Sequence, residues 1–324
     1  MNILVIGAGQ LGSRHLQSLM NSSSKLNIYV VDNSNESLAL SKTRAEEIEN
    51  YSNTEVTYLS NLNEVKSIQF FLTIIATSSA PRYIILSEVL ERFDSENIIL
   101  EKFLFQDIKS YEMAKSIIDK SKSSVFVNCP LRTYPIFNDI KKEIDLEGAP
   151  VFISYKGGEW VGLACNSIHY IDLMGFLSDS RLKNIDCSNV DSEIIPSKRE
   201  GYIEFTGKLT CDYVRGASLE LESIRNSEFD SKILIRFGNK SYQIDELSGK
   251  YNYYESSQLK KTDRYTIPYQ SNLTHKILNQ LVKTGSCELP KFEESSMYHQ
   301  IFLIAMLEKY NEINKSQSKV LMIT

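Results

Sequence analysis

Cysteine and histidine are scarce in the sequence, and neither residue is clustered. There are five cysteines and four histidines among 324 residues, and no two cysteines have the C-x-x-C spacing. A disulfide framework would need paired cysteines, and a structural zinc site would need ligands at short, regular spacing. We therefore expect reduced thiols, as in cytoplasmic proteins, and no bound metal. The cysteines are Cys129, Cys165, Cys187, Cys211 and Cys287.

Long apolar runs and basic stretches are also missing. The longest apolar stretch, FFLTIIA, is too short to cross a bilayer. The first apolar run, Ile3 to Ile6, is too short for a signal peptide and leads directly into a glycine turn. The net charge is -5 and the lysines and arginines are dispersed, which argues against a nucleic-acid partner. These absences predict a cytoplasmic protein whose partners include neither a membrane nor a nucleic acid.

Three glycines follow the first apolar run, in MNILVIGAGQLGSRH. Gly7 suits a tight turn, Gly9 lets a pyrophosphate approach the backbone, and Gly12 lets the next helix pack on the strand. A second apolar run, LNIYVVD, ends in Asp32, where this kind of fold places an acid that accepts hydrogen bonds from the adenosine ribose. Strand, glycines, helix and acid occur in the order that dinucleotide binding requires, which favours this function over a plain turn.

The chain is longer than a usual single domain, and its pattern changes near Asn128. Residues 1–127 alternate strands with helices, which predicts a doubly wound parallel sheet of the Rossmann type. Residues 128–324 contain consecutive strand-like runs, and Gly238 and Asn239 between two of them indicate a hairpin. We predict an α/β protein with a dinucleotide-binding domain, 1–127, and an α+β domain, 128–324, for substrate binding and oligomerisation. The second domain should carry a mostly antiparallel, open sheet.

Three short stretches are expected in the crevice beyond the carboxyl ends of the parallel strands. The small side chains of ATSS, residues 76–79, would let a cofactor lie against the backbone. LEKF ends the next strand, and NSIHYID lies in the second domain. The order and spacing of these stretches resemble the glucose-fructose oxidoreductase and inositol dehydrogenase family, also called the Gfo/Idh/MocA oxidoreductases.

The resemblance covers nearly all of the chain. GAGQLGSRH matches the family's fingerprint, with His15 where the family often has a histidine, and ATSS and EKF approach its A-T-P and E-K-P segments. RTYP matches R-x-x-P, GAP matches G-x-P, and His169 with Asp172 matches H-x-x-D. Two positions depart from the pattern. Phe103 replaces a proline that often follows a cis bond, and Cys165 replaces an aspartate four positions before the histidine.

The resemblance and the glycine turn together imply a bound NAD. Asp32 would repel the 2′-phosphate of NADP, and Asn33 and Ser34 supply no neighbouring cation, so NAD is expected rather than NADP. The residues expected to bind NAD are Gly7, Gly9, Gln10, Leu11, Gly12, Asp32, Asn33, Ala76, Thr77, Ser78, Glu101 and Lys102.

Lys102 and His169 are the candidate catalytic residues. Oxidation of a secondary alcohol moves a hydride to nicotinamide and a proton to a base, and unperturbed histidine titrates near pH ~6.5. Lys102, close to the positive nicotinamide, could donate a hydrogen bond to the substrate oxygen or shuttle the proton. The alternative for Lys102 is a solvated loop lysine paired with Glu101. The alternative for His169 is a hydrogen-bonded histidine at the domain interface.

Four further residues are candidates for substrate binding. Arg132 could bind an anionic group through its planar fork, Trp160 could stack on a sugar face, and Asp172 could accept a substrate hydroxyl. Asn166 is the fourth, since it could take part where Cys165 replaces the family's aspartate. The alternatives are a surface or interdomain salt bridge for Arg132, core packing for Trp160, and, for Asp172, a role in holding the helix or orienting a neighbour.

The sequence therefore predicts an NAD(P)-dependent oxidoreductase acting on a CH-OH group of a sugar, sugar nucleotide or related polyol. VNCPLRTYPIF and GLACNSIHYIDL are similar to family members that make sugars for surface polysaccharides, which suggests that pathway. The alternative is a redox-silent dinucleotide-binding sensor or scaffold. In the resembling family an open sheet face commonly joins subunits, so a homodimer or homotetramer is expected.

Overall fold

The computed structural model describes residues 1–49, 54–66 and 68–324. These residues form two compact units. The first consists of Met1–Phe105, Lys109–Asn128 and Pro268–Glu294, and the second of Gln106–Ile108, Cys129–Ile267 and Ser295–Thr324. The predicted domains were continuous segments of the chain, 1–127 and 128–324. The units are not continuous, because residues 268–294 group with the first unit.

Strands and helices alternate through the first unit. They are β1 (Asn2–Ile6), α1 (Gly12–Met20), β2 (Asn27–Val31), α2 (Asn35–Glu46), β3 (Glu55–Leu59), β4 (Phe70–Ile75), α3 (Ser79–Arg92), β5 (Ser95–Leu100), α4 (Ile108–Lys120) and β6 (Ser124–Val127). The described strands lie in the order β3-β2-β1-β4-β5-β6, and all neighbours pair in parallel. This is the strand order of the Rossmann fold. The predicted doubly wound parallel sheet is confirmed.

β1 lies at the centre of this sheet because its sequence is apolar on both faces. Ile3, Leu4 and Val5 are each 0% exposed. A strand in a parallel sheet with helices on both faces is buried on both sides, and its sequence is then a continuous apolar run. Leu16 and Leu19 of α1 belong to the same core, so the helix after the glycine turn is packed onto the sheet that carries the turn.

A segment from late in the chain completes the core of the first unit. α7 (Thr274–Thr284) places Ile277, Leu278 and Leu281 in the same apolar cluster as β1 and α1. After α7, the Val127 N–H donates to the carbonyl oxygen of Pro290 at 2.9 Å, which extends backbone pairing beyond β6. The periodicity of the α7 sequence predicts a helix but does not indicate which sheet the helix covers.

The second unit is built around a second sheet. Its elements are α5 (Pro135–Glu147), β7 (Val151–Gly158), α6 (Leu163–Ser178), β8 (Leu182–Asp186), β9 (Ile195–Pro196), β10 (Ile203–Glu204), β11 (Gly207–Tyr213), β12 (Ser218–Ile224), β13 (Lys232–Phe237), β14 (Lys240–Asp245), β15 (Lys250–Glu255), β16 (Gln258–Arg264) and the greater part of α8 (Phe292–Asn314). The described strands of the main sheet lie in the order β16-β15-β14-β13-β7-β12-β11-β8. Neighbours are antiparallel except β7 and β12, which are parallel. The predicted mostly antiparallel sheet is confirmed.

The two faces of this sheet differ in burial. Along β7, Ile153 and Tyr155 are buried, whereas the intervening Ser154 and the next residue, Lys156, are partly exposed. On the exposed face Lys156 pairs with Glu222 of the neighbouring strand at 2.9 Å. The alternation is typical of a sheet with one covered and one open face.

The hairpin indicated by the Gly-Asn pair is present. β13 and β14 pair antiparallel up to Phe237 and Lys240, and Gly238 between them has φ +53°. Positive φ costs little only in glycine and a few short polar residues, and two-residue hairpin turns require it. The predicted hairpin is confirmed.

Three other features are absent from the described residues. No helix there is long and apolar enough to span a membrane. No group of three or more histidine, cysteine or acidic side chains is placed to hold a metal ion in that part of the chain. None of the five cysteines, all of which lie in the described ranges, is in a disulfide.

Candidate functional site

The three glycines after β1 have different structural roles. Gly7 has φ +93°, and a Cβ there would lie 2.8 Å from the backbone carbon of Ala76. A Cβ on Gly12 would lie 1.7 Å from the carbonyl oxygen of Gly7. A Cβ on Gly9 would meet nothing within 4 Å. Gly7 and Gly12 are therefore required by the turn itself, whereas Gly9 leaves open space beside the backbone.

The turn is a suitable place for an anion. α1 begins at Gly12, so the positive end of its dipole faces the turn. At the end of β2, the Asp32 carboxylate accepts hydrogen bonds from the N–H of Ala8 at 2.6 Å and of Ser34 at 2.8 Å. Asp32 is thereby fixed beside the turn, and a carboxylate has further acceptor positions for ligand hydroxyls. Asn33, the next residue, is exposed.

Arg44 of α2 contacts the same turn and was not found by the sequence analysis. Its guanidinium donates to the side-chain oxygen of Gln10 at 2.6 Å and to the Gln10 carbonyl at 3.0 Å. It also donates to the hydroxyl of Ser13 at 2.6 Å. Leu11, the residue before α1, accepts the His15 N–H at 3.0 Å. Arg44 therefore stabilises the turn, although it lies on α2, a helix in which the sequence analysis named no candidate residue.

A buried arginine ties together two predicted cofactor-binding stretches. Arg82 of α3 is 1% exposed. It donates to the carbonyl of Thr77, in the ATSS stretch, and to the carbonyls of Phe103 and Leu104, which follow β5. Ser78 is the residue before α3 and takes an extended conformation there. Because one side chain binds both loops, it fixes their relative position at the carboxyl edge of the sheet.

Glu101 is the centre of a buried polar network in the first unit. His15 Nε2 lies 2.7 Å from Glu101 Oε1, and His15 Nδ1 lies 2.9 Å from the hydroxyl of Thr274. Asn128 Nδ2 donates to Glu101 at 2.5 Å and to Gln270 at 3.0 Å. Buried polar groups need such partners, because an unsatisfied one costs ~1–3 kcal/mol. The network joins α1, the end of β5 and the 268–294 segment.

Lys102 is the second residue after the end of β5 and follows Glu101 of this network. β1 and β5 run parallel in one sheet, so Lys102 and the glycine turn lie at the same, carboxyl edge. Lys102 is partly exposed. The Lys102–Phe103 peptide bond is cis, so the bond has the form often found before the family's proline, although the residue here is phenylalanine.

In the second unit, α6 carries three of the predicted site residues. Glu204 accepts hydrogen bonds from the N–H groups of Ala164 at 2.5 Å and Cys165 at 3.1 Å, so a carboxylate covers the amino end of this helix. Asn166 donates its side-chain amide to the carbonyl of Val161. His169, one turn further on, is partly exposed. The sequence analysis did not find Glu204, which lies 40 residues from the helix it caps.

Arg132 and Asp172 form a buried pair. Arg132 donates to Asp172 from Nε at 2.8 Å and from Nη2 at 2.6 Å, and the two side chains are almost fully buried. The Arg132 guanidinium also lies 5.4 Å from the ring centroid of Phe176. The pair is a salt bridge, but it is buried within the second unit and not at the surface or between domains, so it differs from the alternative given for Arg132. For Asp172 it matches the alternative of orienting a neighbour. Their direct binding of substrate stays a prediction.

Trp160 lies at the surface of the second unit and not in its core. It is 40% exposed, and its indole N–H donates to the carbonyl of Phe229 at 3.3 Å. The ammonium of Lys198 lies 5.8 Å from the indole ring centroid. The indole N–H is therefore anchored, the Lys198 ammonium lies over the ring, and 40% of the residue's surface is exposed.

A titratable cluster that the sequence analysis missed surrounds Glu246. The hydroxyls of Tyr170 and Ser231 lie 2.7 and 3.1 Å from its carboxylate, and the rings of Tyr170 and Tyr155 stack at 3.8 Å. Burial raises the pKa of Glu246 above its ordinary value, although these hydrogen bonds oppose the shift. Burial also raises the pKa of Tyr170 well above its ordinary value. Glu246 follows β14 directly, and nothing in its local sequence marks it.

Comparison with protein-family models gives one match. Residues 1–129 match the Gfo/Idh/MocA model, described as an oxidoreductase family with an NAD-binding Rossmann fold. No curated protein sequence matches the chain.

Solved structures with the same fold cover nearly the whole chain. An oxidoreductase from Agrobacterium radiobacter, crystallised with NAD+, L-tartaric acid and magnesium, has a TM-score of 0.73 at 11% identity and covers 97% of this chain and 99% of its own. A UDP-N-acetylglucosamine 3-dehydrogenase from Acidithiobacillus ferrooxidans has a TM-score of 0.68 at 12% identity, with 96% and 97% covered. A transcriptional regulator from Kluyveromyces lactis has a TM-score of 0.70 at 12% identity, with 96% and 92% covered. At these identities the likeness establishes the fold alone.

Proposed function

The chain belongs, through residues 1–129, to the Gfo/Idh/MocA family of oxidoreductases with an NAD-binding Rossmann fold, and from this premise we propose that it is a dehydrogenase or reductase of a sugar, sugar nucleotide or related polyol. The family and the cofactor predicted from the sequence are confirmed. The observation that carries the proposed reaction is the position of Lys102, directly after β5 at the sheet edge that bears the glycine turn.

The residues of the first unit fit NAD. The open space beside Gly9 leaves room for a pyrophosphate close to the backbone, and the amino end of α1 faces it. Asp32, held by the Ala8 and Ser34 N–H groups, would accept hydrogen bonds from the ribose hydroxyls. The small residues of the ATSS stretch, fixed by Arg82, would lie along the cofactor. Bound NAD supplies a hydride acceptor, or as NADH a hydride donor, at its nicotinamide.

The chain's own residues handle the proton and the substrate oxygen. We propose that the Lys102 ammonium donates a hydrogen bond to that oxygen and that the His169 imidazole takes the hydroxyl proton as the alcohol becomes a ketone. In the reductive direction His169 returns the proton. Glu101, held by His15 and Asn128, fixes the backbone next to Lys102. A positioned acid-base group of this kind contributes ~10²–10⁴-fold to a rate.

Three lines support the sugar class of substrate. The sequence resembles a family named for glucose-fructose oxidoreductase and inositol dehydrogenase, and a UDP-N-acetylglucosamine 3-dehydrogenase shares the fold. Trp160 is 40% exposed at the surface of the second unit, and an exposed indole suits the apolar face of a sugar ring. The proposed role in surface-polysaccharide synthesis rests on the sequence resemblance, and turnover of a sugar nucleotide would support it.

The proposed reaction is tested first with a panel of candidate substrates and then with substitutions of Lys102 and His169. Purified protein with NAD or NADH is mixed with UDP-sugars, uronic acids, hexoses, disaccharides and inositols, and NADH fluorescence is followed. On the substrate found, Lys102→Ala and His169→Ala should each lower kcat by ~10²–10⁴-fold, and His169→Ala should leave the Kd for NAD nearly unchanged. The double variant should lose much less than the product of the two, because groups that act together are not additive.

Lys120→Ala is the matched control, since Lys120 is an exposed lysine in the last turn of α4. It should keep the parent kcat. Near-normal turnover of both single variants would show that neither residue transfers the proton. NAD binding with no turnover of any panel member would favour the redox-silent sensor instead.

A further inference from the structure

A cavity of about 780 Å³ opens in the second unit beside the amino end of α6. The residues that matter in its wall are Trp160, Asn166, Ser197, Lys198, Glu204 and Asn226. Ser197 and Lys198 follow β9, and Asn226 lies in the loop between β12 and β13. The sequence analysis singled out Trp160 and Asn166, because no motif marks the other four.

The wall combines an aromatic face with small polar groups. Trp160 is anchored through its indole N–H to the Phe229 carbonyl, and 40% of its surface is exposed. The side chains of Ser197 and Asn226 supply a hydroxyl and an amide, groups that both donate and accept hydrogen bonds. A ring with an apolar C–H face and many hydroxyls suits such a wall better than an aliphatic chain would.

The charges of the wall disfavour an anion. The amino end of a helix is a ready anion site, but in α6 the Glu204 carboxylate already accepts the N–H groups of Ala164 and Cys165. Glu159, another wall residue, accepts the Asn226 N–H at 2.8 Å. Among the described residues of the wall, Lys198 is the single basic one, against three glutamates. A phosphate or carboxylate placed here would meet more negative than positive charge.

The cavity lies along the same helix as the proposed base. Cys165 and Asn166 are in its wall, and His169 follows them by four and three residues on α6. Residues at these spacings lie on one face of a helix, with Cβ atoms ~5–6 Å apart. A group in the cavity is therefore about one helical turn from a group that reacts at His169.

From this arrangement we propose that the cavity binds a second, uncharged pyranose ring. The inference rests on the proposed function and narrows its substrate to a neutral disaccharide or larger glycoside, whose reacting ring lies at His169 and whose neighbouring ring stacks on Trp160. Lys198, on its exposed chain, donates a hydrogen bond to a hydroxyl of that second ring.

Trp160 itself provides the assay. It is the single tryptophan of the sequence, so tryptophan emission reports on this cavity alone. We would titrate the NAD-saturated protein with maltose, cellobiose and chitobiose, with glucose and N-acetylglucosamine, and with UDP and inorganic phosphate. The expected result is a saturable change with at least one disaccharide, at least about tenfold weaker binding of its monosaccharide, and no saturable change with UDP or phosphate.

Variants are compared by calorimetry with the disaccharide found. Trp160→Ala should raise its Kd by at least about tenfold, and Trp160→Phe by less, because a ring face remains. Lys198→Met should raise the Kd by about 2- to 10-fold through loss of one hydrogen bond. Lys183→Met, an exposed lysine of β8 outside the wall, should leave it unchanged.

Several results would overturn the inference. They are no emission change with any of the disaccharides, equal affinity for disaccharide and monosaccharide, comparable binding of UDP, and a Trp160→Ala variant with the parent Kd. Because binding is measured without turnover, the two proposals can fail separately. A disaccharide that binds at Trp160 without being oxidised contradicts the proposed reaction, whereas a disaccharide that is oxidised without changing Trp160 emission contradicts the second-ring site.

Discussion

Gly9→Ala should separate cofactor binding from folding. A Cβ on Gly9 meets nothing within 4 Å, and Gly9 does not have the positive φ that disfavours alanine. Alanine at a compatible position reduces the freedom of the unfolded chain, which stabilises a protein by ~0.4–1 kcal/mol. We therefore expect a Tm equal to that of the parent or slightly higher. The added methyl group would occupy the space proposed for the pyrophosphate.

The cost to NAD binding follows from the hydrogen bonds lost. Each hydrogen bond from a backbone N–H to a charged oxygen contributes ~1.5–3 kcal/mol. Loss of one such bond raises the Kd by ~10- to 150-fold, since ~1.4 kcal/mol is a factor of ten. Fluorescence titration with NADH measures the Kd, and thermal unfolding without cofactor measures the Tm.

Gly12→Ala is the contrasting control. Its Cβ would lie 1.7 Å from the Gly7 carbonyl oxygen, so the backbone must move, at a cost of ~1–3 kcal/mol or more. This variant should lose Tm together with NAD affinity, whereas Gly9→Ala should lose affinity alone. A Gly9→Ala protein that binds NADH within about twofold of the parent would refute the placement of the pyrophosphate beside Gly9.

Three further predictions concern the cofactor, pH dependence and assembly. Competitive titration should show tighter binding of NAD than of NADP, because Asp32 would repel a 2′-phosphate; the reverse order would contradict this role. Burial raises the pKa of Glu246 above 4.5, so its contribution to stability is full below pH 4.5 and is lost as pH rises through the folded-state pKa. In urea unfolding, Glu246→Gln should therefore reduce the fall of the unfolding free energy with rising pH. An unchanged dependence of that free energy on pH would count against this role. Because one face of the second sheet is open, light scattering should give a homodimer or homotetramer, and a species of 37.0 kDa alone at micromolar concentration would argue otherwise.

Much of the fold, including the glycine turn after β1, could be predicted from local sequence. The apolar run of β1, the three glycines and Asp32 lie within a single strand-turn-helix-strand unit, where spacing along the chain is nearly spacing in three dimensions. The Gly-Asn hairpin was predictable for the same reason. Lys102 and His169 were found through ordered motifs, and their chemical roles stay predictions.

Side-chain partners from distant parts of the chain could not be predicted in this way. Arg132 and Asp172 were both named as substrate residues, but their bidentate pairing depends on how α6 packs beside the residues that precede α5. Arg82 looks like an ordinary helical arginine until its burial beneath two loops is seen. Periodicity indicates which face of a helix is buried, but it does not identify what lies against that face.

The sequence by itself determined the alternation of strands and helices, the glycine turn, the acid at Asp32 and the change from parallel to antiparallel sheet, since each depends on local sequence patterns. Only the tertiary structure decided that Gln270 and Thr274 return to the first unit and meet His15. It also decided that Lys198 reaches Trp160. The physical reason is that a hydrogen bond or a stacking contact depends on distance in space, and residues far apart along the chain are brought within that distance by the packing of the whole unit.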